Sequence, residues 1–176
     1  LIVSAKPSTL IRSCNLKRER SLETQDICPA TWYEHTPEGV HEASATAYFF
    51  AKKLYETLDV PVGIINVSWG GTPIEAWMNP ELLKKEFADE LNLNHLDTKV
   101  WPENMPYKAP GVLYNGMMHS IIPFTAKGFI WYQGCDNRVR FEQYKRLQPA
   151  FVQMLRDEWG NQDMGFYFTQ IAPYKY

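Results

Sequence analysis

Three largely apolar runs constrain this chain more than any other feature: VPVGIINV (Val60–Val67), AKGFIWY (Ala126–Tyr132) and GFYFTQI (Gly165–Ile171). Their β-branched and aromatic residues run on without alternating, which is the pattern of strands covered on both faces. Helical patterns lie between them. Ala43–Leu58 sets Ala47, Phe50, Ala51 and Leu54 at three-to-four spacing among good helix formers. Pro80–Phe87 reads as a short helix opened by its proline, and Leu113–Ile122 as another. Phe141–Trp159 carries Phe141, Tyr144, Leu147, Phe151, Met154 or Leu155, and Trp159 on one face, a long amphipathic helix despite Pro149. Strands alternating with helices predict an α/β fold built on a mainly parallel sheet. Leu1–Ser4 reads as a further strand, followed by a polar, turn-rich excursion to about Glu42, and NLNHLDTKVWPENMPYKAPG as a second irregular excursion.

Composition narrows the function classes. At 176 residues and 45% hydrophobic content, the chain can build the core of one domain. Eighteen basic against twenty acidic residues, with no basic stripe, argue against a nucleic-acid partner. No apolar run is long enough to span a bilayer, and LIVSAKPS lacks the regions of a signal peptide. An opening inside an apolar segment without Met, and a strand-like close in FYFTQIAPYKY, give the expectation of a domain incomplete at both ends. Cys14, Cys28 and Cys135 form no CxxC pair, and spacing leaves a Cys14–Cys28 bridge as one option. His35, His41, His95 and His119 include no zinc-binding spacing, so neither metal nor organic cofactor is expected.

In open α/β sheets ligands bind beyond the carboxyl ends of the strands, where both SWGG and QGCDN fall. Gly70 and Gly71 let backbone N–H groups approach a ligand, and Asn137 can add a side-chain NH2 donor. Together they would form an oxyanion hole. The plainer alternative is that the glycines turn the chain and Asn137 caps the following helix. Trp69 suits a sugar-binding wall as well as it suits a core, and Asn115 and His119 sit on a short helix that could approach the site. Glu75 reads as a helix-start carboxylate before it reads as a general base. Ser68 and Ser120 stand in no G-x-S-x-G elbow, and no sequence signature puts a histidine beside Cys135.

VPVGIINVSWGGTPIEAWM, LYNGMMHSIIPF, KGFIWYQGCDN, QYKRLQPAFVQMLRDEW and FYFTQIAPY, with YFFAKKL before the first run, resemble successive blocks of the sialate O-acetylesterase family of the SGNH hydrolase superfamily. The resemblance implies a single SGNH esterase domain over residues 1–176, truncated, with a three-layer α/β/α sandwich. It maps the superfamily's second block to Gly70 or Gly71 and its third to Asn137 within Gln133-Gly134-Cys135-Asp136-Asn137. Trp69, Gln133 and Asn115 are the implied substrate-binding residues. The Ser block and the Asp-x-x-His block find no counterpart here, and Cys135 and Asp136 stand where the family usually has Glu and Ser. The implied activity is hydrolysis of O-acetyl esters on sialic acid or a related sugar, without cofactor, by an exported protein whose partner is a small-molecule or glycan substrate. A catalytically silent carbohydrate-binding or structural module on the same fold is the alternative.

Overall fold

The computed structural model describes residues 8–36, 39 and 43–173; the strand expected at Leu1–Ser4 and the position of His41 lie outside them. The chain groups into two compact units, Leu1–Lys17 with Cys28–Ser68 and Arg18–Ile27 with Trp69–Tyr176.

The first unit is a three-stranded sheet with one helix. Strand β1 (Ser8–Leu16) lies between β2 (Ala30–His35), which runs antiparallel to it, and β3 (Val62–Asn66), which runs parallel. The sheet is therefore mixed, and β1 and β2 occupy a stretch whose polar composition reads as surface excursion. STLIRSCNL becomes a strand because both its neighbours offer backbone partners, a tertiary effect that outweighs weak β-propensity. Helix α1 (Ala45–Leu58) starts where the Ser44 hydroxyl accepts from the Ala47 N–H and ends at Asp59 in the left-handed region, φ 51°. Its buried residues are Ala47, Tyr48 and Ala51, whereas Phe50 is 40% exposed, so the inward face is rotated from the expected one. Tyr48 turns inward because it stacks on His35, with centroids 5.1 Å apart.

His35 is buried and shares a 2.6 Å hydrogen bond between Nε2 and Ser13 Oγ. Ser13 lies in mid-strand, 2% exposed, and the pair ties β1 to β2 through a buried side-chain hydrogen bond. Cys14 is buried in β1 while the Cys28 thiol donates to the Lys17 carbonyl, and no disulfide joins them.

In the second unit β4 (Gly128–Trp131) pairs in parallel with β5 (Gly165–Phe168), and α4 (Phe141–Glu158) connects them. Leu147, Phe151, Met154 and Leu155 of α4 are buried, and their packing carries the helix through Pro149. Phe141, expected on that face, is 58% exposed. Trp131 meets Phe151 at 4.7 Å and Phe129 meets Trp159 at 5.1 Å, so one sheet face lies on α4. Ile130, on the other face, is exposed, where continuous hydrophobicity had predicted cover on both sides. Helix α2 (Pro80–Phe87) has the predicted limits, N-capped by Asn79 Oδ1 accepting from the Glu81 N–H. The second excursion holds a short helix, α3 (Asn94–Thr98), anchored by buried Leu93, His95 and Leu96. Tyr114–Met118 forms a π-helical turn against which residues 18–27 pack, and a Cβ on Gly116 would stand 2.5 Å from the Glu19 carbonyl.

Burial holds the His35 imidazole below the usual histidine range. Between that lowered value and the ordinary one, the unfolded chain binds a proton that the native chain does not, so stability is full above the ordinary range and falls as pH drops through it. Thermal melts from about pH 7.5 to about pH 5 should show this loss in the wild type and a flatter slope in His35→Phe. Parallel slopes would remove His35 as the cause.

Candidate active site

Residues 69–78 form a buried turn that starts with an exposed face. The Thr72 hydroxyl donates to the Trp69 carbonyl (2.7 Å) and accepts from the Trp77 indole N–H (2.9 Å), which ties the glycine turn to the core. Ile74–Trp77 follows as a single 3-10 turn, and every one of its residues is buried. Gly70 and Gly71 are different. Both are exposed, and nothing lies within 4 Å of the position a Cβ would take on either. Gly71 has φ 71°, a conformation that side-chain-bearing residues rarely adopt. The Trp69 ring lies flat on Tyr107, with centroids 5.2 Å apart and planes within 4°.

QGCDN follows β4 and closes onto this turn. The Gln133 Nε2 donates to the Thr72 carbonyl (3.1 Å) and to Asn137 Oδ1 (2.7 Å), while its own Oε1 is buried with no protein partner among the described residues. Asn137 is 1% exposed. Its Oδ1 also accepts from the Ile74 N–H (2.9 Å), and its Nδ2 donates to Glu75 Oε2 (2.8 Å). The other carboxylate oxygen of Glu75 accepts from Arg140 Nη2 at 2.5 Å. Glu75 stands in the first turn of the Ile74–Trp77 helix, as expected, but it is 3% exposed and held by two side chains more than 60 positions away. Asp136 pairs with Lys108 at 2.7 Å, which fastens the Pro106–Lys108 turn, and Tyr107 with it, to the same loop.

QGCDN therefore meets residues 72–75, directly after the glycine pair, and Gln133 and Asn137 make the joint. Asn115 has other work: its Oδ1 accepts from Thr24 Oγ1 (3.2 Å) and its Nδ2 donates to the Ser21 carbonyl (3.3 Å), pinning residues 18–27. His119 faces Asp26 at 3.4 Å. Cys135 is exposed, and no hydrogen bond joins it to a histidine among the described residues. Among those residues no group of three His, Cys, Asp or Glu side chains is placed to hold a metal, and no helix is long and apolar enough to cross a membrane. Sequence reasoning missed Tyr107, Lys108 and Arg140. For Arg140 the available signal was a buried-looking acid in PIEAW that needed a cation; the other two carried none.

The profile of the family described as carbohydrate esterase, sialic acid-specific acetylesterase, matches residues 29–175. The chain belongs to this family. It is 31% identical over 156 residues to the sialate O-acetylesterase of Homo sapiens, covering 85% of this chain and 29% of that protein. It is 29% identical over 164 residues to that of Rattus norvegicus, covering 74% of this chain and 30% of that protein. A carbohydrate acetylesterase from Xanthomonas citri, known from its crystal structure, superposes with a TM-score of 0.81 at 30% identity, covering 95% of this chain and 35% of that one. The α/β class expected from the strand and helix pattern is that of the family member. The chain spans less than a third of the two mammalian relatives, so it carries one portion of what an esterase of this family contains.

The two glycines should respond differently to substitution. Gly71→Val places a β-branched residue in the left-handed region and should cost about 1–3 kcal/mol whatever the free space. Gly70→Val meets neither a positive φ nor a neighbour and should stay within about 0.5 kcal/mol. Denaturant unfolding of both variants reads the difference, and equal losses would mean that Gly70 is constrained too.

Proposed function

We propose that the protein carrying this segment hydrolyses O-acetyl esters on sialic acid or a related acetylated sugar by a serine esterase mechanism. Family membership supports the reaction class, since the human and rat relatives are named sialate O-acetylesterases and the Xanthomonas protein a carbohydrate acetylesterase. The observation that carries the assignment to particular residues is the locking of QGCDN onto GGTPIE through Gln133 and Asn137.

On this reading a Ser outside the 176 residues attacks the acetyl carbonyl, and a His outside them takes the Ser proton and later returns one to the departing sugar oxygen. The negative charge that collects on the carbonyl oxygen is met by backbone N–H groups at Gly70 and Gly71, whose outer side is open, and by the second N–H of the Asn137 amide. The stacked Trp69 and Tyr107 rings supply a flat apolar wall for a sugar face, and Gln133 holds the loops at a fixed spacing. Metal and organic cofactor have no role in the scheme. The compartment is an exported one, as the resemblance implies.

Asn137→Ala in the full-length protein tests the scheme. It should lower kcat and kcat/KM together by about 10²–10³-fold with little change in KM, because the bond strengthens only as charge develops. The variant should also melt at a lower temperature, since Asn137 is buried and its loss strips partners from Glu75 and the Ile74 N–H, so rates belong well below the melting transition. Full kcat in a folded Asn137→Ala protein would leave the two loops a structural joint only and would favour the silent binding module.

A further inference from the structure

We infer that Glu75 is the positioning residue that aims Asn137, and that Arg140 orients Glu75 for that task. The inference rests on the proposed oxyanion role of Asn137 and deepens it. Glu75 is 3% exposed, an environment in which an ionised carboxylate persists only if paired and hydrogen-bonded. Each oxygen has its own partner: Oε1 takes Arg140 Nη2 at 2.5 Å, and Oε2 takes Asn137 Nδ2 at 2.8 Å. Arg140 is 39% exposed, so its charge covers the carboxylate from the solvent side while Asn137 meets it from within.

The three bonds at Asn137 leave one orientation of its amide. Oδ1 accepts from the Ile74 N–H and from Gln133 Nε2, so a flipped amide would turn its NH2 against two donors and its oxygen against the carboxylate. One amide hydrogen is held by Glu75. The other is thereby given a fixed direction in the amide plane, and a charged acceptor on the first strengthens the hold beyond what a neutral one supplies. A carboxylate suits this role better than a carboxamide because it only accepts: it cannot present an N–H to Asn137 by mistake. If Glu75 and Arg140 merely tied the Ile74–Trp77 turn to the Cys135–Arg140 turn, the same ion pair would form without any need for the Asn137 bond.

The test is a double-mutant cycle in the full-length protein, with 4-nitrophenyl acetate as the acetyl ester and thermal melts alongside. Glu75→Gln is expected to lower kcat about tenfold with KM unchanged, a smaller loss than removal of the donor itself. In the Asn137→Ala background the same substitution should change kcat by less than about twofold, because the group it orients is gone. Arg140→Met should act in the same direction as Glu75→Gln, with Arg140→Lys recovering part of the loss; this pair also serves if Glu75→Gln does not fold. Equal losses of kcat from Glu75→Gln in both backgrounds, or a lowered melting temperature with unchanged kcat, would overturn the positioning role and leave the oxyanion reading standing. Asn137→Ala with full kcat would overturn both.

Discussion

One buried carboxamide holds the candidate site together. A side-chain amide that is 1% exposed must find its hydrogen-bond partners inside the protein, and Asn137 finds them on both loops at once. Each bond contributes about 1 kcal/mol net, but a buried donor or acceptor left unpaired costs about 1–3 kcal/mol. That asymmetry makes the loop pairing close to all-or-none. QGCDN can leave GGTPIE only by stranding the Ile74 N–H, the Glu75 carboxylate and the Asn137 amide together.

The neighbouring parts depend on that joint. The Gly111 N–H donates to the Glu75 carbonyl at 2.8 Å, so the end of the long excursion is hung from the same turn. Lys108 reaches Asp136 and Tyr107 covers Trp69, which makes an irregular segment part of the wall beside the glycines. The two residues in the middle of QGCDN sit differently. Asp136 supplies the carboxylate that Lys108 pairs with, while Cys135 points to solvent.

Much of the fold was legible before any coordinates. Apolar periodicity placed α1 and α4, the opening proline placed α2, and largely apolar runs placed strands β3 to β5. Apolar patterning failed at β1 and β2, where Ser, Arg, Asn and Glu fill strand positions and backbone pairing outweighs composition. It misjudged Phe50 and Phe141, because periodicity locates a stripe only to within a residue or so and the neighbours decide the rest. Of the site, the glycine pair and Asn137 were visible from their position just after strands. Glu75 was visible as a helix-start carboxylate, and it stands in the first turn of Ile74–Trp77; its distant partners were not visible.

The sequence by itself determined that the chain would be α/β, that two polar loops would follow apolar strands, and which family it resembles, because each of these rests on local order along the chain. Only the tertiary structure decided that Glu75 is a buried partner of Asn137, that Arg140 neutralises it, that Asn115 serves residues 18–27, and that Tyr107 lies on Trp69. These pairs are far apart in sequence, and a hydrogen bond or a stacked ring exists only within a few tenths of an ångström and a narrow range of angles. No pattern of residue types along one chain encodes such distances; they are set when the turns at 74–77 and 135–140 are brought together.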